Sequence, residues 1–183
     1  MGGEVKRGWS EVFIFAHMKQ LILVRHAKSD WGDPSLDDFD RPLNERGKRD
    51  APVMAERLKE KGVKVDAFIS SPAKRAKKTA TVFAKAYKQD KDDVILRDEL
   101  YGAGEKVFFD VISKAGNDNN CIAIFSHNPG LTDFANSLTD TRIDNVPTSG
   151  IFAVKADCKT WKDFENAKKE FWFFDYPKAV GSD

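Results

Sequence analysis

The chain has two cysteines and three histidines in 183 residues, almost no net charge and no long apolar run. Each shortage excludes something. Cys121, inside an apolar run, and Cys158, near a predicted turn, cannot build a disulfide framework; such usage suits a reducing compartment, and a cytoplasmic location is expected. No apolar run approaches the roughly 20 residues that a membrane-spanning helix needs. VFIFA, residues 12–16, is too short for a signal-peptide core and follows Glu11 directly. With 30 Lys and Arg against 29 Asp and Glu, the formal net charge of +1 offers no general attraction to nucleic acid or to a membrane surface. Neither partner is expected, so any basic site must be local. Internal repeats and low-complexity tracts are also missing.

What is present is an ordinary globular composition, 41% hydrophobic and 32% charged, long enough for one core and one domain. Residues 1–17 read as an N-terminal extension outside the fold, and residues 18–183 as a single domain beginning at Met18. A strand is expected through LILV, residues 21–24. After a Pro- and Asp-rich loop, a helix starts with Asn44 as N-cap, buries Ala51, Met54, Ala55 and Leu58, is kinked by Pro52 and is closed by Gly62. VDAFIS (65–70) is a second strand, followed by a helix with Ser71 and Pro72 as cap and first-turn residues. VIL (94–96), a helix over 106–115, the strongly apolar CIAIFS (121–126) and a helix after Asn128 and Pro129 follow. IFAVKA (151–156) and EFWFFDY (170–176) read as late edge or antiparallel strands, with FWFF as sheet core. Strands alternating with amphipathic helices predict an α/β class fold, a three-layer α/β/α sandwich with a mainly parallel central sheet.

Three apolar strands run straight into polar chemistry. LILV meets Arg25 and His26, FIS meets Ser71 and Pro72 with Arg75 a few residues on, and IAIFS meets His127 and Asn128. In an open parallel sheet, ligands bind outside the carboxyl ends of the strands, so these clusters are expected to converge on one pocket. Two arginine forks beside a helix N-terminus match phosphoryl oxygens. A neutral imidazole is a competent nucleophile, and neighbouring guanidinium charge favours the neutral form; His26, adjacent to Arg25, fits that role. His127 can stabilise charge on the equatorial oxygens. Glu99, in the loop DELYGAG, is the expected proton donor to the leaving group. An ordinary helix-flanking carboxylate is the rival reading of Glu99. Ser149 and Gly150 are expected to shape a tight turn under the pocket, with Ser149 close to the bound phosphate.

Taken in order, LILVRHAKSDW (21–31), DRPLNERG (40–47), SSPAKRAKKTA (70–80), DELYGAG (98–104), SHNPGL (126–131) and TSGI (148–151) resemble the histidine phosphatase superfamily, the phosphoglycerate mutase-like branch 1, and within it the small SixA-type phosphohistidine phosphatases. The resemblance runs from about Met18 to DYPK. It implies a covalent phosphohistidine on His26, phosphate held by Arg25 and Arg75, His127 completing the pocket, and no metal or other cofactor. The three histidines also lack metal-ligand spacing with each other or with cysteine. Mutase-like and broad-specificity members carry Gly and Asn where this chain has Ala27 and Gly32, which inclines the resemblance to the SixA type.

Asp30, Trp31 and Arg41 are read as a loop ion pair and a packed indole; Lys28, Lys74, Lys77 and Lys78 either ring the pocket mouth or form a solvated face. No long insertion separates the motifs to form a lid. The expected partner is therefore a phosphorylated protein, such as a phosphotransfer domain bearing phosphohistidine, or a small phosphate ester. A phosphomutase would need capping insertions that this chain lacks, and a non-catalytic phosphate-binding module would be expected to have lost His26 or an arginine.

Overall fold

The computed structural model describes residues 18–178; the expected extension at 1–17 lies outside the described residues. Six strands, β1 (Met18–Arg25), β2 (Ala67–Ser70), β3 (Ile95–Leu96), β4 (Cys121–Ser126), β5 (Ile151–Asp157) and β6 (Lys169–Asp175), form one sheet in the order β3-β2-β4-β1-β5-β6. The first four in that order run parallel, β5 is antiparallel to β1, and β6 is antiparallel to β5. Helices α1 (Glu45–Glu60) and α2 (Lys74–Ala86) cover one face; α3 (Glu105–Ser113) and α4 (Gly130–Leu138) cover the other. This is the predicted three-layer α/β/α sandwich.

The apolar strands are continuous because both faces are covered. In β1, Leu21 and Leu23 pack toward α3 and α4, whereas Ile22 and Val24 pack toward α1 and α2, all fully buried. Phe108 of α3 stacks on Phe134 of α4 at 4.6 Å between ring centroids. Such burial stabilises by roughly 1.5–3 kcal/mol per large apolar side chain before entropy is counted. Asn44 caps α1 as expected, its side chain accepting the Gly47 N–H at 2.9 Å. Gly62 follows the helix at φ 75°, a left-handed value that favours glycine. Pro52 is exposed and α1 runs on through it. Strand β6 is a half-exposed edge rather than sheet core: Phe171 is 40% exposed, and Lys155 caps the Trp172 ring.

Register decides where the chemistry emerges. Arg25 pairs with Ser126 across β1 and β4, and Ser70 with Phe125 across β2 and β4. The strands are parallel, so the next residues, His26, Ser71 and His127, leave the sheet side by side at its carboxyl edge. Two glycines let the flanking loops close on that edge. A Cβ on Gly47 would stand 2.2 Å from the Lys28 carbonyl oxygen, and one on Gly130 would stand 1.9 Å from that of Ala103. Among the described residues no helix is long and apolar enough to cross a membrane.

Candidate active site

At the carboxyl edge lies a cleft of ≈ 340 Å³. Its lining includes Arg25, His26, Arg75 and His127, together with Lys28, Asp38 and Arg41. The four residues expected to converge do so.

His26 is buried at the pocket floor. Its Nδ1 lies 2.8 Å from the Ala27 carbonyl oxygen, which can only accept, so Nδ1 carries the proton and Nε2 keeps a lone pair. That lone pair faces Arg75, whose Nε donates to it across 3.3 Å. The loop is fixed from both sides: the His26 N–H donates to the Ser126 carbonyl, the Ala27 N–H to Thr79 Oγ1 and the Ser149 N–H to the carbonyls of Arg25 and His26.

Burial holds the His26 imidazole down to about 3, with the nearby His127, Arg75 and Arg25 charges adding to the effect. The neutral imidazole expected from guanidinium neighbours is therefore present, but desolvation is its main cause.

His127 lies beside it, ring centroids 5.0 Å apart. Its Nε2 is 2.8 Å from Ser71 Oγ, which itself accepts the Ala73 N–H at 3.3 Å. The Ser71 hydroxyl can donate to Nε2, and in that tautomer His127 Nδ1 is the N–H donor. Burial first, and Arg75 second, lower His127 to about 4. Ser71 thus serves His127 and is not the α2 N-cap, a position held by Ala73 without a side-chain bond. Arg25 is anchored through Nη1 to the Val146 carbonyl at 2.9 Å and to Asn145 Oδ1 at 3.3 Å, which leaves its buried Nε without a partner.

Other expected residues fall elsewhere. Glu99 does not line the cleft; its carboxylate faces Lys114 at 3.7 Å and is 40% exposed. Ser149, at φ 61°, is fully buried beneath the Arg25–His26 turn, holding it by its backbone; Thr148 is the neighbour that lines the cleft. Lys74, Lys77 and Lys78 are a solvated face of α2, while Lys28 does line the cleft. Trp31 is no packed indole: it is 71% exposed at the rim, stacked on the Arg41 guanidinium at 3.3 Å.

Arg41 is a third guanidinium in the cleft that the loop sequence did not reveal. It is buried and pairs with Asp38. Asp38 also accepts from Arg75 Nη2 and from the Tyr101 hydroxyl, each at 2.8 Å on Oδ2. The only sequence signal for this group was the density of Asp and Arg in a loop without periodicity.

The buried polar atoms without partners gather at this cleft. Among the described residues they are Arg25 Nε, Arg41 Nε and Nη1, His127 Nδ1, Ser149 Oγ and the distant Asp175 Oδ2. All but the last belong to residues in or directly under this cleft, and four are N–H donors. Unpaired buried donors are costly, and a tetrahedral oxyanion would satisfy several at once.

The comparisons agree with this chemistry. The model of the histidine phosphatase superfamily (branch 1) matches residues 21–105. An uncharacterized protein of Mycobacterium tuberculosis is 31% identical over 152 residues, 78% of this chain and 92% of that protein. An uncharacterized chloroplastic protein of Arabidopsis thaliana is 44% identical over 61 residues, 33% of this chain and 28% of that protein. The fold superposes on the protein histidine phosphatase SixA complexed with tungstate with a TM-score of 0.75 at 19% identity, covering 88% of this chain and 99% of that one. With its site residues at the carboxyl edge of this sheet, the chain belongs to the histidine phosphatase superfamily, branch 1.

Proposed function

We propose that this protein is a phosphatase that transfers a phosphoryl group first to His26 Nε2 and then to water, acting on phosphohistidine or other phosphoprotein substrates. Proteins named as phosphatases and as mutases both occur among its relatives. The single observation that carries the reading is the set of unpartnered donors around a neutral, lone-pair-bearing imidazole. Arg25, Arg75 and the His127 Nδ1–H hold the equatorial oxygens, where charge must be stabilised as the bond to the leaving group breaks. His26 attacks in line, and its Nδ1–H stays on the Ala27 carbonyl, so the phosphorylated ring remains oriented for water to attack. Ser149 acts through the backbone, holding the turn that carries Arg25 and His26. The guanidinium and imidazole donors supply the charge stabilisation, and turnover is expected to need no metal.

Access to the cleft supports this substrate class. The cleft opens at the sheet edge, and Trp31, Phe39 and Tyr101 are exposed around Arg41 and Asp38. A phosphorylated side chain presented by another protein, such as a phosphotransfer domain, can reach the floor without a lid opening. The cleft volume favours a second reading, since ≈ 340 Å³ also accommodates a small phosphate ester. A cytoplasmic location fits two buried, unpaired cysteines, one of which, Cys121, burial pushes up to about 12.

The test is phosphate release from p-nitrophenyl phosphate and from a phosphohistidine-bearing phosphotransfer protein, with chelator, for the wild type and His26→Ala. Turnover that survives chelation and is lost in the variant, with a larger kcat/KM on the phosphoprotein, is expected. Larger kcat/KM on the small ester would move the assignment to small-molecule work. Phosphate binding without turnover on either substrate would make the protein a binding module.

A further inference from the structure

Glu99 leaves a vacancy in the mechanism, because its carboxylate faces Lys114 rather than the cleft. Among the described residues, Asp38 is the one carboxylate that lines the cleft. We propose that Asp38 is the proton donor to the leaving group, an inference that rests on the phosphatase reading and names a further catalytic residue for it.

The geometry supports this from three directions. Asp38 sits in a short 3-10 turn, Asp38–Asp40, at the mouth of the cleft, with its side chain 48% exposed, while His26 forms the floor. In-line attack from the floor sends the leaving group toward the mouth, since the body of any substrate stays outside. Asp38 also grips the outer edge of the Arg75 guanidinium: Nη2 donates to Oδ2, and Nη1 donates to the Asp38 carbonyl oxygen. Arg75 Nε, on a different edge of the same guanidinium, donates to His26 Nε2. One guanidinium therefore contacts both the nucleophile and the carboxylate, and a phosphoryl group bound along it is placed within reach of the two. Tyr101 donates to the same Oδ2 at 2.8 Å and packs edge-on against the His127 ring at 5.4 Å, which ties Asp38 to the oxyanion side of the pocket.

In the empty cleft Asp38 is an anion, held down to about 2 despite some desolvation by the Tyr101 and Arg75 hydrogen bonds and by the Arg75 and Arg41 charges. An entering phosphoryl group competes for those same donors. Relieved of Arg75 and set beside phosphate oxygens, the carboxylate becomes the better proton acceptor. The proton comes from the substrate, whose second phosphate ionisation lies near pH 6. The steps then balance. The monoanionic ester gives its proton to Asp38. The His26 Nε2 lone pair forms the N–P bond while the P–O bond breaks, and the leaving oxygen takes the electron pair and the Asp38 proton. In the second half, the attacking water passes a proton to the Asp38 carboxylate, its oxygen forms the new P–O bond, and the N–P electron pair returns to Nε2. The released phosphate can then take the proton from Asp38 and leave the cleft as it was.

The experiment compares Asp38→Asn and Glu99→Gln with the wild type on leaving groups of rising basicity: p-nitrophenyl phosphate, phenyl phosphate and phosphoserine. Asn is nearly isosteric on an exposed turn and still accepts from Arg75. Loss of a general acid costs on the order of 10²-fold or more where the leaving group needs a proton. Asp38→Asn should show that loss in kcat/KM on phenyl phosphate and phosphoserine, a much smaller loss in kcat/KM on p-nitrophenyl phosphate, and a steeper dependence of kcat/KM on leaving-group pKa, while kcat falls on every substrate through the shared hydrolysis step. The same factor in kcat/KM on all three substrates, up or down, would make Asp38 a clamp on Arg75 and overturn the proposal. So would a leaving-group-selective loss in Glu99→Gln but not in Asp38→Asn. Absence of wild-type turnover on every substrate would instead remove the phosphatase reading, and this inference with it.

Discussion

Arg75 Nε stands 3.3 Å from His26 Nε2, so the side chain proposed to bind the anion donates directly to the lone pair of the proposed nucleophile. A phosphoryl group that binds this guanidinium is delivered onto the attacking atom, and binding and alignment become one event.

Replacing that side chain should therefore damage both. Truncating one partner of a buried charge-assisted contact costs about 2–5 kcal/mol. Arg75→Ala is expected to raise the inhibition constant for vanadate on the order of 10²-fold and to lower kcat as well. An unchanged inhibition constant, measured in competition with p-nitrophenyl phosphate, would place Arg75 outside the phosphate site.

The low proton affinities of the two imidazoles predict an unusual pH profile. His26 and His127 are lowered from 6.5 to about 3 and about 4, chiefly by burial. Both stay neutral well below pH 6, so kcat/KM, corrected for substrate ionisation, should show no enzyme limb near 6.5. The stability linkage has a defined sign. The native pKa values lie below the unfolded ones, so the contribution is complete above about 6.5 and is lost as pH falls from there toward 3 to 4. Urea midpoints should drop between pH 7 and 4.5, and His26→Ala should flatten that drop.

Ser71 is predicted to matter for catalysis through His127, its bond from the Ala73 N–H being the smaller, structural part. With the Ser71 hydroxyl donating to Nε2, the imidazole N–H is held on Nδ1. Ser71→Ala should lose about 1–3 kcal/mol of transition-state stabilisation, roughly tenfold or more in kcat. The folded protein should keep its thermal midpoint within a few degrees, and imidazole 15N shifts should report the mixed tautomer.

Gly130 is required by close packing. A Cβ there would meet the Ala103 carbonyl oxygen at 1.9 Å, whereas one on Gly104 would meet nothing within 4 Å. Gly130→Ala should cost about 1–3 kcal/mol or more, lowering Tm by roughly 2–4 °C per kcal/mol. Gly104→Ala, at the start of α3, should cost only about a kcal/mol. Equal losses in the two variants would refute the packing argument.

Much of the fold was readable because local and global signals agree. The apolar runs through LILV and CIAIFS lie inside β1 and β4, and Asn44 and Gly62 mark the ends of α1. Arg25, His26 and His127 were legible because charged and titratable groups at the end of a doubly buried strand have no packing explanation. Arg75, in the first turn of α2, is legible from its place after Ser71 and Pro72. Glu99 looked equivalent in its loop, but its side chain turns to Lys114 of the α3 C-cap, a contact that the local pattern does not encode.

The sequence by itself determined which strands are buried on both faces, which helices cover them and that three polar clusters follow parallel strands; periodicity and strand-end chemistry suffice for that. Only the tertiary structure decided how the clusters are completed. It folds the loop around Asp38–Asp40 back over the sheet edge, bringing Arg41 and Asp38 into the cleft and setting Ser71 against His127. Such placement depends on hydrogen bonds between residues as far apart as Asp38 and Tyr101 and on a close approach at Gly47, which no local pattern of side chains can specify.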